Sequence, residues 1–153
     1  MKTIPLVSII TPYFDAPDFY REALRSLQQQ TYQHFELVVV DDASPEPSAA
    51  AILSEFDFPR VKVIRHETNT GPQTARNTAV ANSCGDYLLS FDCDDLLAPE
   101  YLSETIHALT DERFAGAYTQ IVSFGEKTGV WTPQPTLPWC HVWFQFGTKH
   151  ISL

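Results

Sequence analysis

Short apolar, β-branched runs alternate along this chain with segments of helical periodicity, and this alternation constrains the fold more than any other feature. Residues 6–11, 35–40, 61–64 and 87–91 read as buried strands. Residues 17–29, 47–56 and 72–82 place apolar side chains at helical intervals between them, and 99–109 does so after the fourth strand. Each helical segment opens on a proline, whose fixed φ suits the first turn of a helix. Residues 114–124 predict a fifth strand. The alternation predicts an α/β fold, a Rossmann-like, doubly wound and mostly parallel sheet. Such sheets bind ligands in the crevice beyond the carboxyl ends of their strands.

Three strand ends carry polar residues able to act on a ligand: Thr11-Pro12-Tyr13, Asp41-Asp42 and the run Asp92-Cys93-Asp94-Asp95. Clustered carboxylates repel one another, and a hard cation such as Mg²⁺ or Mn²⁺ relieves that repulsion. Taken alone, Asp92 to Asp95 reads equally well as an Asp-rich turn leading into a helix cap. The recurrence of such residues on one edge of one sheet favours a functional cluster. Asp41 or Asp42 can accept from a base N–H or a ribose hydroxyl, or cap the next helix. Arg76, about one turn into the helix opened by Thr70-Gly71-Pro72, can neutralise phosphate or pair with an aspartate.

At 153 residues the chain is long enough for one domain with a core. Its formal net charge of −9 argues against non-specific binding to nucleic acid or anionic lipid, since both need basic patches. Cys84, Cys93 and Cys140 form no C-x-x-C pair, so neither a zinc site nor a disulfide framework is predicted. A reduced, cytoplasmic protein is the expectation, with a peripheral position at a membrane left open. No stretch is apolar enough for a transmembrane segment, and the N-terminal apolar run, interrupted by Pro5 and Pro12, reads as a first strand rather than a leader.

Five pieces stand in a particular order: Val7-Ser8-Ile9-Ile10-Thr11-Pro12-Tyr13-Phe14; Ser26-Leu27-Gln28-Gln29-Gln30-Thr31-Tyr32; Phe35-Glu36-Leu37-Val38-Val39-Val40-Asp41-Asp42-Ala43-Ser44; Asn69-Thr70-Gly71-Pro72 with Ala75-Arg76-Asn77; and Gly85-Asp86 running through to Asp94-Asp95. In this order the chain resembles the family 2 glycosyltransferases, over about residues 6–102. The resemblance implies the A-type glycosyltransferase fold, here incomplete at its C-terminus. It implies a nucleotide-diphosphate sugar as donor, typically UDP-linked, and transfer of the sugar to an acceptor hydroxyl with inversion. Thr11, Pro12 and Tyr13 would line the base pocket, Asp42 with Asp41 beside it would contact the base, and Arg76 would sit near the nucleotide. Asp92-Cys93-Asp94 matches the family's D-x-D pattern. Asp94 and Asp95 would contact ribose and the metal–diphosphate, with Mn²⁺ or Mg²⁺ as the cofactor.

Two departures qualify the resemblance. Asp15 stands where the family usually has asparagine. Inverting members also use a downstream carboxylate to deprotonate the acceptor, and no acid here sits in such a context. After Glu104 the acids are Asp111 and Glu112, which read as a helix-end turn, and Glu126, which reads as a hairpin turn with Gly125 and Gly129. The alternative is therefore a truncated or degenerate nucleotide-sugar-binding protein without turnover. Residues 1–129 are expected to form the donor-binding domain, and 130–153, rich in Trp, Phe and Pro, a lid or the start of an acceptor region. The five histidines are scattered and read as surface or satisfied core residues. Dehydrogenase and nucleotidyltransferase readings fail for want of a glycine-rich loop after the first strand. A phospho-acceptor receiver would carry its acid pair after the first strand, whereas here it follows the second.

Overall fold

The computed structural model describes residues 4–111, 113–117, 119–124 and 128–131. Four parallel strands form the main sheet: β1 (Val7–Tyr13), β2 (Phe35–Asp41), β3 (Val61–Arg65) and β4 (Tyr87–Ser90), in the order β3-β2-β1-β4. Helices α1 (Pro17–Gln28), α2 (Ala49–Leu53), α3 (Pro72–Ala81) and α4 (Tyr101–Ala108) connect and flank them.

Strand periodicity sends successive side chains to opposite faces. Ile9, Leu37, Val39 and Leu89 pack on one face against Tyr20, Leu24 and Leu27 of α1, Ile52 of α2, and Leu102 and Ile106 of α4. Ile10, Val38 and Val40 point to the other face and meet Ala75 and Ala79 of α3. The small alanine side chains let α3 lie close to the sheet. Both faces of the central strands are thus covered, which explains why β1 is buried along its whole length.

Most expected boundaries move by a residue or two, and three differences have a specific structural basis. β1 continues through Pro12 and Tyr13, past the proline that ended the predicted strand. Ile10 turns its carbonyl toward Phe91, so Pro12, two residues on, faces the same side. The pairing of β4 with β1 has already ended at Ile10, and the N–H that proline lacks is not needed by the ladder there. The second helix shrinks to Ala49–Leu53, with Ser48 as its N-cap accepting from the Ala51 N–H. Among the described residues of 114–124, only Ile121–Ser123 (β5) is a strand, and it pairs antiparallel with β6 (Gly129–Trp131) in a separate two-stranded sheet rather than joining the main sheet. Glu112, Glu126, Cys140 and the whole segment after Trp131 lie outside the described residues. Among the described residues, no helix is long and apolar enough to cross a membrane.

Gly85, ahead of β4, marks a close approach of two chain segments. Its N–H donates to Ser8 Oγ at 2.7 Å. A Cβ added there would lie 2.6 Å from the Ser8 nitrogen and 2.8 Å from the Leu6 carbonyl oxygen. Backbone yields less readily than a side-chain tip, so Gly85→Ala is expected to lower stability by about 1–3 kcal/mol in urea unfolding. An unchanged midpoint would show that the loop accommodates the methyl group.

Candidate functional site

The carboxyl ends of β1, β2 and β4 surround a cleft of about 510 Å³ lined by Pro12, Phe14, Asp42, Arg76, Asp92 and Asp94, among others. Six of the nine residues singled out from the sequence line it: Pro12, Tyr13, Asp42, Arg76, Asp92 and Asp94. Thr11, Asp41 and Asp95 are not among its lining residues. Thr11 is fully buried in β1, and its hydroxyl has no hydrogen-bond partner among the described residues. Asp95 belongs to the turn after β4, where its N–H donates to the Asp92 carbonyl at 3.1 Å.

Asp41 and Asp42 are neighbours with opposite surroundings, because alternate residues of a strand face opposite sides. Asp41 turns toward α2. It accepts from the Ser44 N–H at 2.8 Å, the Ala49 N–H at 2.9 Å and Arg65 Nη1 at 2.9 Å. Asp42 turns toward α3. It accepts from the Thr70 N–H at 3.0 Å, the Thr70 hydroxyl at 2.9 Å and the Gly71 N–H at 2.7 Å, with His66 Nδ1 at 2.7 Å. Burial pushes the Asp42 carboxyl up, but the bonds from Thr70, His66 and Gly71 together outweigh it and hold the group below its ordinary range. Asp42 is therefore an ionised, acceptor-only group at the wall of the cleft.

Arg76, in α3, reaches Asp92 with Nη2 at 2.6 Å from Oδ1, both side chains largely shielded. Of the two roles open to this arginine, the pairing with an aspartate is formed. The pair removes one negative charge from a cleft that also contains Asp42 and Asp94. Cys93 packs against the main core between its two acidic neighbours. Burial first, then the charges of Asp94 and Asp92, push its thiol up to about 12. A protonated thiol leaves the cleft's ligand chemistry to carboxylate oxygen. Among the described residues, no three His, Cys, Asp or Glu side chains converge as a metal cage.

The loop between β1 and α1 shapes the opposite wall. Asp15 has φ +45°, a left-handed conformation that Asp and Asn adopt more readily than most residues. This accounts for the exchange of one for the other at this position. Ala43, directly after Asp42, has φ +61°, where a non-glycine residue is strained. Phe14, 48% exposed, contributes an aromatic side chain to the cleft, as does Phe19. Sequence reasoning passed over Phe14 as a ligand contact, although its place beside Pro12 and Tyr13 at a strand end was a usable signal. It also passed over His66 and Thr70, which bring the end of β3 and the start of α3 to Asp42 at the end of β2.

An acid-lined cleft at the carboxyl edge of an open parallel sheet is the arrangement of Rossmann-like nucleotide-binding proteins. The family model described as glycosyl transferase family 2 matches residues 8–152. The chain belongs to this family. It is 35% identical over 105 residues to an uncharacterized glycosyltransferase of Haemophilus influenzae, covering 68% of this chain and 42% of that protein. S. aureus TarS 1–349 in complex with UDP-GlcNAc superposes with a TM-score of 0.69 at 28% identity, over 84% of this chain and 37% of that one. The mannosyltransferase PcManGT from Pyrobaculum calidifontis, in complex with GDP-Man and Mn²⁺, gives a TM-score of 0.64 at 26% identity, over 70% of this chain and 33% of that one. The sheet is that of the A-type glycosyltransferase fold. The chain spans less than half the length of the relatives it matches.

Proposed function

We propose that this chain is the donor-binding part of a metal-dependent, inverting glycosyltransferase that uses a nucleotide-diphosphate sugar, with UDP as the nucleotide. The observation that carries the reading is the convergence of Pro12, Phe14, Asp42, Arg76, Asp92 and Asp94 on one cleft at the carboxyl edge of the sheet. An ionised carboxylate at Asp42 suits the N–H of a uracil ring. The aromatic face of Phe14 suits the ring's flat surface. Asp41 supports the same loop from behind, and Thr11 and Tyr13 build the strand end beneath it.

Asp92 and Asp94 offer the hard oxygen donors that Mg²⁺ or Mn²⁺ takes, one or two carboxylates completed by substrate phosphates, and Asp95 lies in the same turn. Such a cation would neutralise the charge that develops on the departing nucleoside diphosphate. The likeness to a mannosyltransferase that binds Mn²⁺ supports this assignment. Arg76 holds Asp92 in place beside Asp94. Residues 1–129 would form the donor domain, and 130–153 a lid or the first part of an acceptor region.

No residue is assigned as the acceptor's base. Asp111 is engaged by Arg113, with Nη2 at 2.6 Å, on the exposed turn after α4. The position of that pair outside the cleft keeps a second reading alive, a nucleotide-sugar binder without turnover.

Calorimetry with UDP tests both readings. Binding is expected with Mn²⁺ and is expected to weaken in EDTA. Asp94→Ala should weaken the Mn²⁺-dependent binding at least about tenfold, the value of one charge-assisted contact. Failure to bind UDP, GDP or any other nucleoside diphosphate overturns both readings. A donor-hydrolysis assay on a chain that does bind then separates the transferase from the binder.

A further inference from the structure

We infer that His66 is a positioning residue that orients Asp42 for base recognition and so sets the preference among nucleotides. The inference rests on the donor-site reading above. His66 follows β3 directly, and its N–H donates to the Asp41 carbonyl at 2.8 Å, extending the sheet ladder by one bond. That bond fixes where the imidazole begins. Its two ring nitrogens then join three elements. Nδ1 lies 2.7 Å from Asp42 Oδ1 at the end of β2 and 3.1 Å from Thr70 Oγ1. Nε2 lies 3.1 Å from Thr78 Oγ1 on α3.

The hydrogen bonds assign the roles. The Thr70 hydroxyl donates to Asp42 Oδ1, so it has no proton for the imidazole. Nδ1 therefore carries a proton and donates to Asp42. In the neutral ring Nε2 accepts from the Thr78 hydroxyl. A histidine whose second nitrogen is held in this way has a fixed tautomer and ring plane, and it orients the group it touches.

The orientation has a chemical consequence. Oδ1 of Asp42 takes His66, the Thr70 N–H and the Thr70 hydroxyl, while Oδ2 takes the Thr70 and Gly71 N–H groups. Oδ2 carries the lighter load, the Gly71 N–H and a Thr70 N–H that it shares with Oδ1, so a further bond from a base would fall to it, on a residue that lines the cleft. An acceptor-only group held rigidly there favours a base that presents a ring N–H, as uracil does. It disfavours cytosine, whose corresponding ring nitrogen is itself an acceptor. Rejection of this kind depends on the group being unable to turn away. Without His66, the carboxylate keeps its donors from Thr70 and Gly71 but loses the imidazole that braces Oδ1 from the β3 side, and its rotation about χ2 is less restrained.

The test is the ratio of affinities for UDP and CDP, measured by calorimetry with Mn²⁺ on the full chain. The wild-type chain should prefer UDP. His66→Ala should reduce the UDP:CDP ratio about tenfold, the equivalent of one lost hydrogen bond to a charged group. His66→Asn, which keeps a donor near the Nδ1 position, should restore most of the ratio. Thr78→Val should lower the ratio partway, and it carries the test if His66→Ala does not fold. A merely structural histidine would weaken both nucleotides equally and leave the ratio intact, and that result overturns the inference alone. A wild-type chain that binds neither nucleotide, or binds both equally, removes the base contact at Asp42 and the inference with it.

Discussion

Arg76→Met is expected to destabilise the chain by about 3–5 kcal/mol when no metal or nucleotide is bound, the usual cost of removing one partner from a shielded ion pair. The guanidinium and the Asp92 carboxylate are 11% and 20% exposed, so water replaces little of what the substitution removes. Asp92 would be left at a cleft wall with Asp94 and Asp42 nearby and no compensating cation. The loss should be seen in urea unfolding. It should shrink when UDP and Mn²⁺ are added, because ligand binding stabilises the folded state and the cation supplies the missing charge. The double variant Arg76→Met/Asp92→Asn should be more stable than Arg76→Met alone, since the orphaned charge is gone. A loss below about 1 kcal/mol for Arg76→Met would place the pair among solvated surface contacts and would refute its role as the cleft's internal counter-charge.

The elements that position this cleft were legible because each one buries its own periodic face. The alternation in β1 and β2 assigns Ile9, Leu37 and Val39 to one layer and Ile10, Val38 and Val40 to the other, and both layers formed. Polar residues at the ends of such runs then have one place to go, which is why Asp42, Asp92 and Asp94 reach a common cleft. The same period carried the finer distinction between Asp41 and Asp42. One continues the α2-facing row of Leu37 and Val39, the other the α3-facing row of Val38 and Val40. The role of His66 was not legible, because it depends on how the end of β3 meets both Asp42 after β2 and Thr78 of α3, which no local pattern encodes. Residues 114–124 read as one strand because apolar content alone does not distinguish a strand of the main sheet from a short strand paired outside it. Pro12 stayed within β1 because the neighbouring strand stops short of it, a matter of register rather than of propensity.

Asp41→Ala should lower stability by about 2–6 kcal/mol, with the loss coming from backbone rather than from charge. The carboxylate is 1% exposed and accepts two backbone N–H groups, those of Ser44 and Ala49. Alanine leaves both donors buried without an acceptor, and each such donor costs about 1–3 kcal/mol. Arg65 also contacts Asp41, yet its side chain is 48% exposed and can turn to solvent, so its share is small. Three variants separate these contributions in urea unfolding. Asp41→Asn keeps one oxygen acceptor and should recover roughly half of the loss, whereas Arg65→Met should cost less than about 1 kcal/mol. An Arg65→Met loss equal to that of Asp41→Ala would mean that the ion pair, not the backbone, holds the turn, and would overturn this account. The consequence reaches the cleft through Ala43. That residue is held at φ +61° between Asp42 and Ser44, and the Asp41–Ser44 bond closes the turn around it. Once the turn is released, Ala43 can relax toward ordinary backbone and carry Asp42 away from Thr70 and Gly71. UDP affinity should therefore fall in Asp41→Ala even at temperatures where the variant remains folded.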